Sequence, residues 1–251
     1  MGQPIILKTN DRISVLGKTG SGKTHFMAML AGTYARMLPS PWEVWWIDTK
    51  GSPDDIKLLR EWGFRNALNV EDRFTGPLTN AVYFQCSGSR SLSVKGMAKA
   101  VLRAAWDSVT ARDVSTRKYL VIVVDEFSQV VDGKHEAGSE LDNVFFRGRG
   151  LNLGFIGGTQ EPVAIPRNLF SQASHQVLFR LQYAYDLRAV KLMYPWYQPP
   201  PKYGFWWVDI DNTEQVFYFD NEAEFYSNLG IDVTESSLDP QSVADYQIFE
   251  H

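Results

Sequence analysis

The chain has a single cysteine, Cys86, so no disulfide can form within it. Its four histidines, His25, His135, His175 and His251, are too scattered to show metal-ligand spacing. No apolar run approaches the roughly 20 residues that span a bilayer, and no leader pattern precedes the first glycine-rich turn. There is no internal repeat and no clear second domain. These absences exclude a disulfide scaffold, a structural zinc module and a membrane-spanning helix. What remains is the composition of an intracellular globular protein. It has 251 residues, 44% hydrophobic and 22% charged, long enough for one large α/β domain with a substantial core.

Positive charge is missing locally. From Asp211 to His251 there are ten acidic residues and no Lys or Arg. The net charge is −4, yet the remaining 210 residues carry 25 basic against 19 acidic groups, a balance of +6. The sequence therefore divides into a mildly basic body, 1–220, and an acidic C-terminal segment, 221–251. Such a body can face a polyanion, although charge alone does not point to nucleic acid.

Residues 17–24 read GKTGSGKT, after the apolar run Ile13–Leu16 and before a helical pattern. This is GxxxxGK[ST] in the strand–turn–helix context the chemistry needs. Glycines let backbone N–H groups turn inward around phosphate oxygens, and the helix start adds its positive dipole end. Gly17, Lys18, Thr19, Gly20, Ser21, Gly22, Lys23, Thr24 and His25 are the expected ATP-binding residues. Lys23 supplies charge to the β and γ phosphates, and Thr24 a hydroxyl to Mg²⁺. The bland reading, a glycine-rich turn that binds nothing, leaves the flanking pattern unexplained.

Short apolar strands alternate with helices. Strands are expected at 13–17, 43–48, 82–85, 119–125, 153–158 and 176–181, with helices at 23–37, 53–62, 92–109, 140–147, 167–172 and 185–193. That alternation predicts a three-layer α/β fold with a mostly parallel sheet. After the proline run 199–201 the pattern changes. Phe205–Val208 and Gln215–Phe219 flank a polar turn and read as an antiparallel hairpin.

The run Leu120–Val124 ends in Asp125-Glu126, at the sheet edge where a P-loop holds its phosphates. Asp125 suits a Mg²⁺ anchor opposite Thr24, and Glu126 a water-activating base. Further on, residues 147–160 read RGRGLNLGFIGGTQ. Gln160, ending a strand, can sense the γ-phosphate or orient water. Arg149 precedes the same strand, so it should lie far from its own P-loop and can serve catalysis only in a neighbouring subunit. Arg147 is its rival, and either can equally be a solvated surface charge.

Together these residues resemble the FtsK–HerA superfamily of P-loop DNA translocases. The likeness rests on Arg149, the strand 153–158, Thr159-Gln160, Pro162, Ile165-Pro166, Phe179-Arg180 and the turn Asp48-Thr49-Lys50-Gly51. It spans about residues 10–220. It implies a RecA/FtsK-like fold, ATP and Mg²⁺ as cofactors, a pentameric or hexameric homo-oligomeric ring, and double-stranded DNA as partner. Almost nothing precedes the P-loop, which is similar to the genome-packaging ATPases of tailless, membrane-containing double-jelly-roll viruses. That likeness implies capsid or viral membrane proteins as further partners, and a place in the host cytoplasm or the virion. Rival readings are a cellular HerA- or FtsK-like translocase, a filamentous-phage assembly ATPase, or a P-loop NTPase acting on a protein partner. Polar stretches 87–95, with Arg90 and Lys95, and 129–139, with Lys134, are candidate DNA-contacting loops.

Overall fold

The computed structural model describes residues 5–39, 42–67, 80–88, 92–113, 117–132, 139–210 and 215–232. The elements, in chain order, are β1 (Ile5–Lys8), β2 (Arg12–Leu16), α1 (Lys23–Met37), β3 (Trp42–Asp48), α2 (Pro53–Glu61), β4 (Arg65–Asn66) and β5 (Ala81–Gln85). Then come α3 (Val94–Val109), β6 (Tyr119–Val124), α4 (Ser139–Asp142), β7 (Leu153–Thr159), α5 (Arg167–Ser171) and β8 (His175–Phe179). The chain closes with α6 (Ala184–Met193), β9 (Phe205–Asp209), β10 (Gln215–Phe219), α7 (Glu222–Ser227) and β11 (Leu229–Asp232).

Among the described residues, nine strands form one sheet in the order β10-β9-β8-β2-β7-β6-β3-β5-β4. Every pairing from β8 to β4 is parallel, and β9 and β10 add antiparallel at the β8 edge. The expected α/β layering and terminal hairpin are therefore present. A parallel strand needs a crossover, and the crossovers leave helices on both faces. Strand β6 shows the result: Leu120, Ile122 and Val124 pack with α3, while Val121 and Val123 pack with α1 on the other side. Alternation in this strand thus separates two apolar layers rather than core from solvent.

Helix α1 is buried almost along its length, from Phe26 to Ala35. One side meets the sheet, and the other is capped by aromatic residues from the end of the chain. Phe225 of α7 is fully buried against Phe26, Phe205, Trp207 and Phe219. Strand β11 pairs in parallel with β1, Ile5 opposite Leu229. The described part of the acidic segment, 221–232, is thus packed onto the body; residues 233–251 lie outside the described residues. Full burial of one such phenylalanine contributes about 2–3 kcal/mol. Strands β1, β4 and β11 and helix α7 are too short to give a readable period in the sequence.

One expected helix differs. The span 140–147 holds a single α turn, α4, and then a π-helical turn, Asn143–Arg147. The cause is Arg12 on β2, a fully buried guanidinium. Its Nε donates to the Phe145 carbonyl at 2.8 Å, and its terminal nitrogens donate to the carbonyls of Val144, Leu153 and Asn10. A side chain that draws carbonyls out of the helical ladder widens the turn. No helix among the described residues is long and apolar enough to cross a membrane.

Candidate nucleotide site

The site sits at the carboxyl end of β2, flanked by the ends of β6, β7 and β3. Gly17 follows β2 directly, and its N–H donates to the Thr159 carbonyl at 3.2 Å. The Lys18 N–H donates to the Arg180 carbonyl at 2.9 Å, so the start of the loop is tied to the strand ends on either side of β2. Gly22, the N-cap of α1, has φ +105°, a conformation open to glycine and strained for other residues. Gly158 permits a second close approach. A Cβ there would meet the Asp125 carbonyl and the Met27 sulfur at 2.6 Å each. Gly158 is what lets α1 descend onto the sheet beside Asp125, while Gly157 makes room on the other face for Phe127 and Phe155.

A cavity of about 570 Å³ opens over this loop. Its wall includes Thr19, Gly20, Gly22, Lys23, Thr24 and His25 from the loop and α1. Lys50 and Ser52 face it from the β3–α2 turn and Asp54, Asp55 and Leu58 from α2, with Gln160 and Tyr203 completing the rim. Its size suits a nucleotide. Lys23 is buried, its Nζ 3.3 Å from the Lys18 carbonyl. Burial first, and then the nearby Lys50 charge, lower the Lys23 ammonium to about 8. An ammonium held at such cost, with one long hydrogen bond, has strong unmet demand for an anion.

The two carboxylates that follow β6 have different partners. Asp125 is fully buried, and its Oδ1 accepts from Lys50 Nζ at 2.7 Å. Its Oδ2 has no hydrogen-bond partner, and neither does Asp48 Oδ2. Burial pushes the Asp125 carboxyl up, with Lys50 opposing. Lys50 is held from below: Asp48 Oδ1 accepts from the backbone N–H groups of Lys50 and Gly51 at 3.0 and 2.8 Å. Burial lowers the Lys50 ammonium, but Asp125, Glu126 and Asp55 outweigh it and leave it above its ordinary value. The unpartnered buried oxygens of Asp125 and Asp48 and the Thr24 hydroxyl on the cavity wall are the kind of hard oxygen donors that Mg²⁺ prefers.

Glu126 is buried and faces the strand end of β7. Its two carboxylate oxygens accept from the Gln160 backbone N–H at 3.1 and 3.2 Å, and Oε1 accepts from Ser128 Oγ at 2.7 Å. The Gln160 side chain in turn accepts from the Thr19 hydroxyl of the P-loop. One chain of contacts therefore runs from the P-loop through Gln160 to Glu126. Ser128, Lys50 and Asp55 belong to this network, yet only Lys50 had a readable signal, the Asp48-x-Lys50-Gly51 turn. His25 lies at the outer rim, its Nδ1 2.6 Å from Glu222 Oε1 on α7.

The arginines are elsewhere. Arg147 and Arg149 are exposed in the turn before β7, at the amino end of the strands. The Arg149 carbonyl accepts from Asn10 Nδ2 at 3.3 Å, and its charge helps burial lower Arg12 to about 9. Arg149 is thus across the sheet from the P-loop of its own chain. Of the candidate DNA-contacting loops, Arg90 and Lys134 lie outside the described residues. Lys95 joins the two stretches: its Nζ donates to the Val131 carbonyl at 2.8 Å and pairs with Asp132 at 2.8 Å.

No protein-family model matches the chain, and no curated protein matches its sequence. Solved structures do match in shape. The DNA-packaging ATPase B204 of Sulfolobus turreted icosahedral virus superposes with a TM-score of 0.62 at 14% identity, covering 84% of this chain and 97% of that one. The genome-packaging NTPase B204 of Sulfolobus turreted icosahedral virus 2, in complex with ATP-gammaS, gives 0.61 at 16%, covering 85% and 98%. Two ATPase modules of Thermomonospora curvata EccC, in complex with a signal sequence peptide, give 0.52 at 14%, covering 83% of this chain and 36% of that one. The resemblance carried by the sequence motifs is therefore met in three dimensions: this chain has the fold of the B204 packaging NTPases along most of its length.

Proposed function

We propose that the protein is an ATPase of the FtsK–HerA type that drives double-stranded DNA, packaging a viral genome into a preformed capsid. The observation that carries the reading is the contact chain from Thr19 through Gln160 to Glu126, set in a fold shared with packaging NTPases. In this reading Lys23 and the loop N–H groups bind the phosphates. Mg²⁺, held through Thr24 and Asp125, would neutralise charge on the β and γ phosphates. Glu126 orients a water and takes its proton, while Gln160, bonded to both the P-loop and Glu126, registers whether the γ-phosphate is in place. An adjacent acid beside the metal carboxylate favours hydrolysis over phosphoryl transfer to another substrate.

Arg149 lies across the sheet from its own site, so its catalytic use requires a second subunit, which supports a ring. Arg149→Ala subunits mixed with Lys23→Ala subunits should regain part of the activity that each lacks alone; no rescue in well-mixed oligomers removes the trans role. Arg147→Ala run the same way decides between the two arginines. The protein then works beside DNA and capsid or viral membrane proteins, in the host cytoplasm or on the virion.

The decisive measurement is ATP hydrolysis with and without duplex DNA across a salt series. Stimulation should be independent of base sequence and fall with salt, because a motor that accepts any genome contacts phosphates and not base edges. No stimulation at any salt overturns the translocase reading. The likeness to EccC, bound to a peptide in its structure, then favours a P-loop NTPase acting on a protein partner.

A further inference from the structure

The cavity is polar at one end and aromatic at the other. Lys50, Asp55 and Gln160 form the end that adjoins Asp125 and Glu126, where the terminal phosphate and metal belong. Past Gly22, toward the first turn of α1, the wall is made by His25 and Tyr203, which among the lining residues are the two with aromatic rings. His25 is held by Glu222. Tyr203 is different: it is 53% exposed, and it opens into the cavity.

The backbone at Tyr203 is unusual. Its φ is +72°, which only one other described non-glycine residue, Asn152, shares in sign. Asparagine enters this region far more readily than tyrosine, so a bland surface turn favours glycine or asparagine here. The conformation is enforced from both sides. The proline run Pro199–Pro201 enters the turn, the Gly204 N–H closes it onto the Pro201 carbonyl at 3.2 Å, and β9 follows at once. The result brings the ring against the P-loop, where a Cβ on Gly22 would meet Tyr203 Cδ1 at 3.3 Å. Strain retained at a cavity wall is a sign of use. Lys202 Nζ lies 4.7 Å from the ring centroid, an exposed cation–π contact weaker than a base stacked on an aromatic ring.

We propose that Tyr203 is the nucleobase wall of the site: the base of the bound nucleotide packs on its ring, displacing Lys202, while the triphosphate lies along the P-loop. This rests on the nucleotide-binding reading above and assigns the base end of that site.

The test compares ATP with inorganic tripolyphosphate, which has the phosphates and no base. Calorimetric titrations with Mg²⁺ use the full chain and the variants Tyr203→Gly, Tyr203→Phe and Tyr203→Trp. Tyr203→Gly relieves the backbone, so its unliganded melting temperature should equal or exceed that of the parent. It should bind ATP about tenfold more weakly, with tripolyphosphate affinity unchanged. Tyr203→Phe and Tyr203→Trp should bind ATP like the parent. ATP affinity that is unchanged in Tyr203→Gly overturns the proposal and leaves the nucleotide site standing. Equal losses for ATP and tripolyphosphate also overturn it, placing Tyr203 in the support of the loop. A parent protein that binds neither ligand overturns the nucleotide reading itself.

Discussion

Each end of the sheet buries positive charge, and the two ends treat it in opposite ways. At the amino end of the strands, Arg12 is wrapped by four backbone carbonyls, and Asp11 holds His175 at 3.2 Å. At the carboxyl end, Lys23 has one long bond, while Asp125, Asp48 and Ser21 each keep a buried side-chain oxygen without a partner. A satisfied buried charge ties elements together. An unsatisfied one stores demand for a ligand, because its hydration has been lost and not replaced. This difference in how buried charge is met separates the proposed nucleotide site from the packing around Arg12, and substitutions can break or sharpen it.

The largest effect should come from Lys23→Ala, with a loss of about a hundredfold or more in ATP affinity by titration, since the phosphates lose their buried counter-charge. Glu126→Gln comes next. It keeps an acceptor for Gln160 and removes the base, so kcat should fall about 10²–10⁴-fold with ATP binding retained. Near-normal turnover in that variant removes Glu126 from the chemistry. At the other end, Arg12→Met should destabilise by about 3 kcal/mol, because several buried carbonyls lose their donor. For a domain of this size that is a fall of roughly 6–12 °C in thermal melting.

Lys50→Met sharpens the contrast further. It leaves the buried Asp125 without its counter-ion, so the unliganded protein should lose about 3 kcal/mol. Mg²⁺ without nucleotide should then raise its melting temperature more than that of the parent; an equal shift shows that Lys50 does not compete for the carboxylate. The smallest effect concerns the chain end. A chain stopped after Asn228 loses β11 and should drop by about 1 kcal/mol, whereas one stopped after Asp232 should melt and hydrolyse like the parent.

What the sequence revealed follows the same division. The P-loop, Asp125-Glu126 and Gln160 could be read because each is fixed by a strand end, and buried parallel strands write continuous apolar runs. Helix α1 was legible from Lys23 to Met37 for the same reason. The π turn at 143–147 was not, because its cause is Arg12, more than a hundred positions away. Tyr203 was invisible because a positive φ leaves no compositional trace when the residue is not glycine. Phe225 and β11 were hidden by their setting: a fully buried phenylalanine inside an acidic, lysine-free stretch reads as tail.

The pairing of β1 with β11 also has a consequence for synthesis. Ile5 leaves the ribosome well before its partner Leu229, which emerges only after the whole nucleotide site has been made. Until then Leu7, fully buried in the finished molecule, has no covering strand, and α1 lacks the aromatic lid that Phe225 supplies. Contacts so distant along the chain form late, because the closure entropy must be met before they contribute. The P-loop half can therefore assemble early, but its outer layer stays open until the last described elements arrive. Co-translational binding of chaperones should concentrate in that interval.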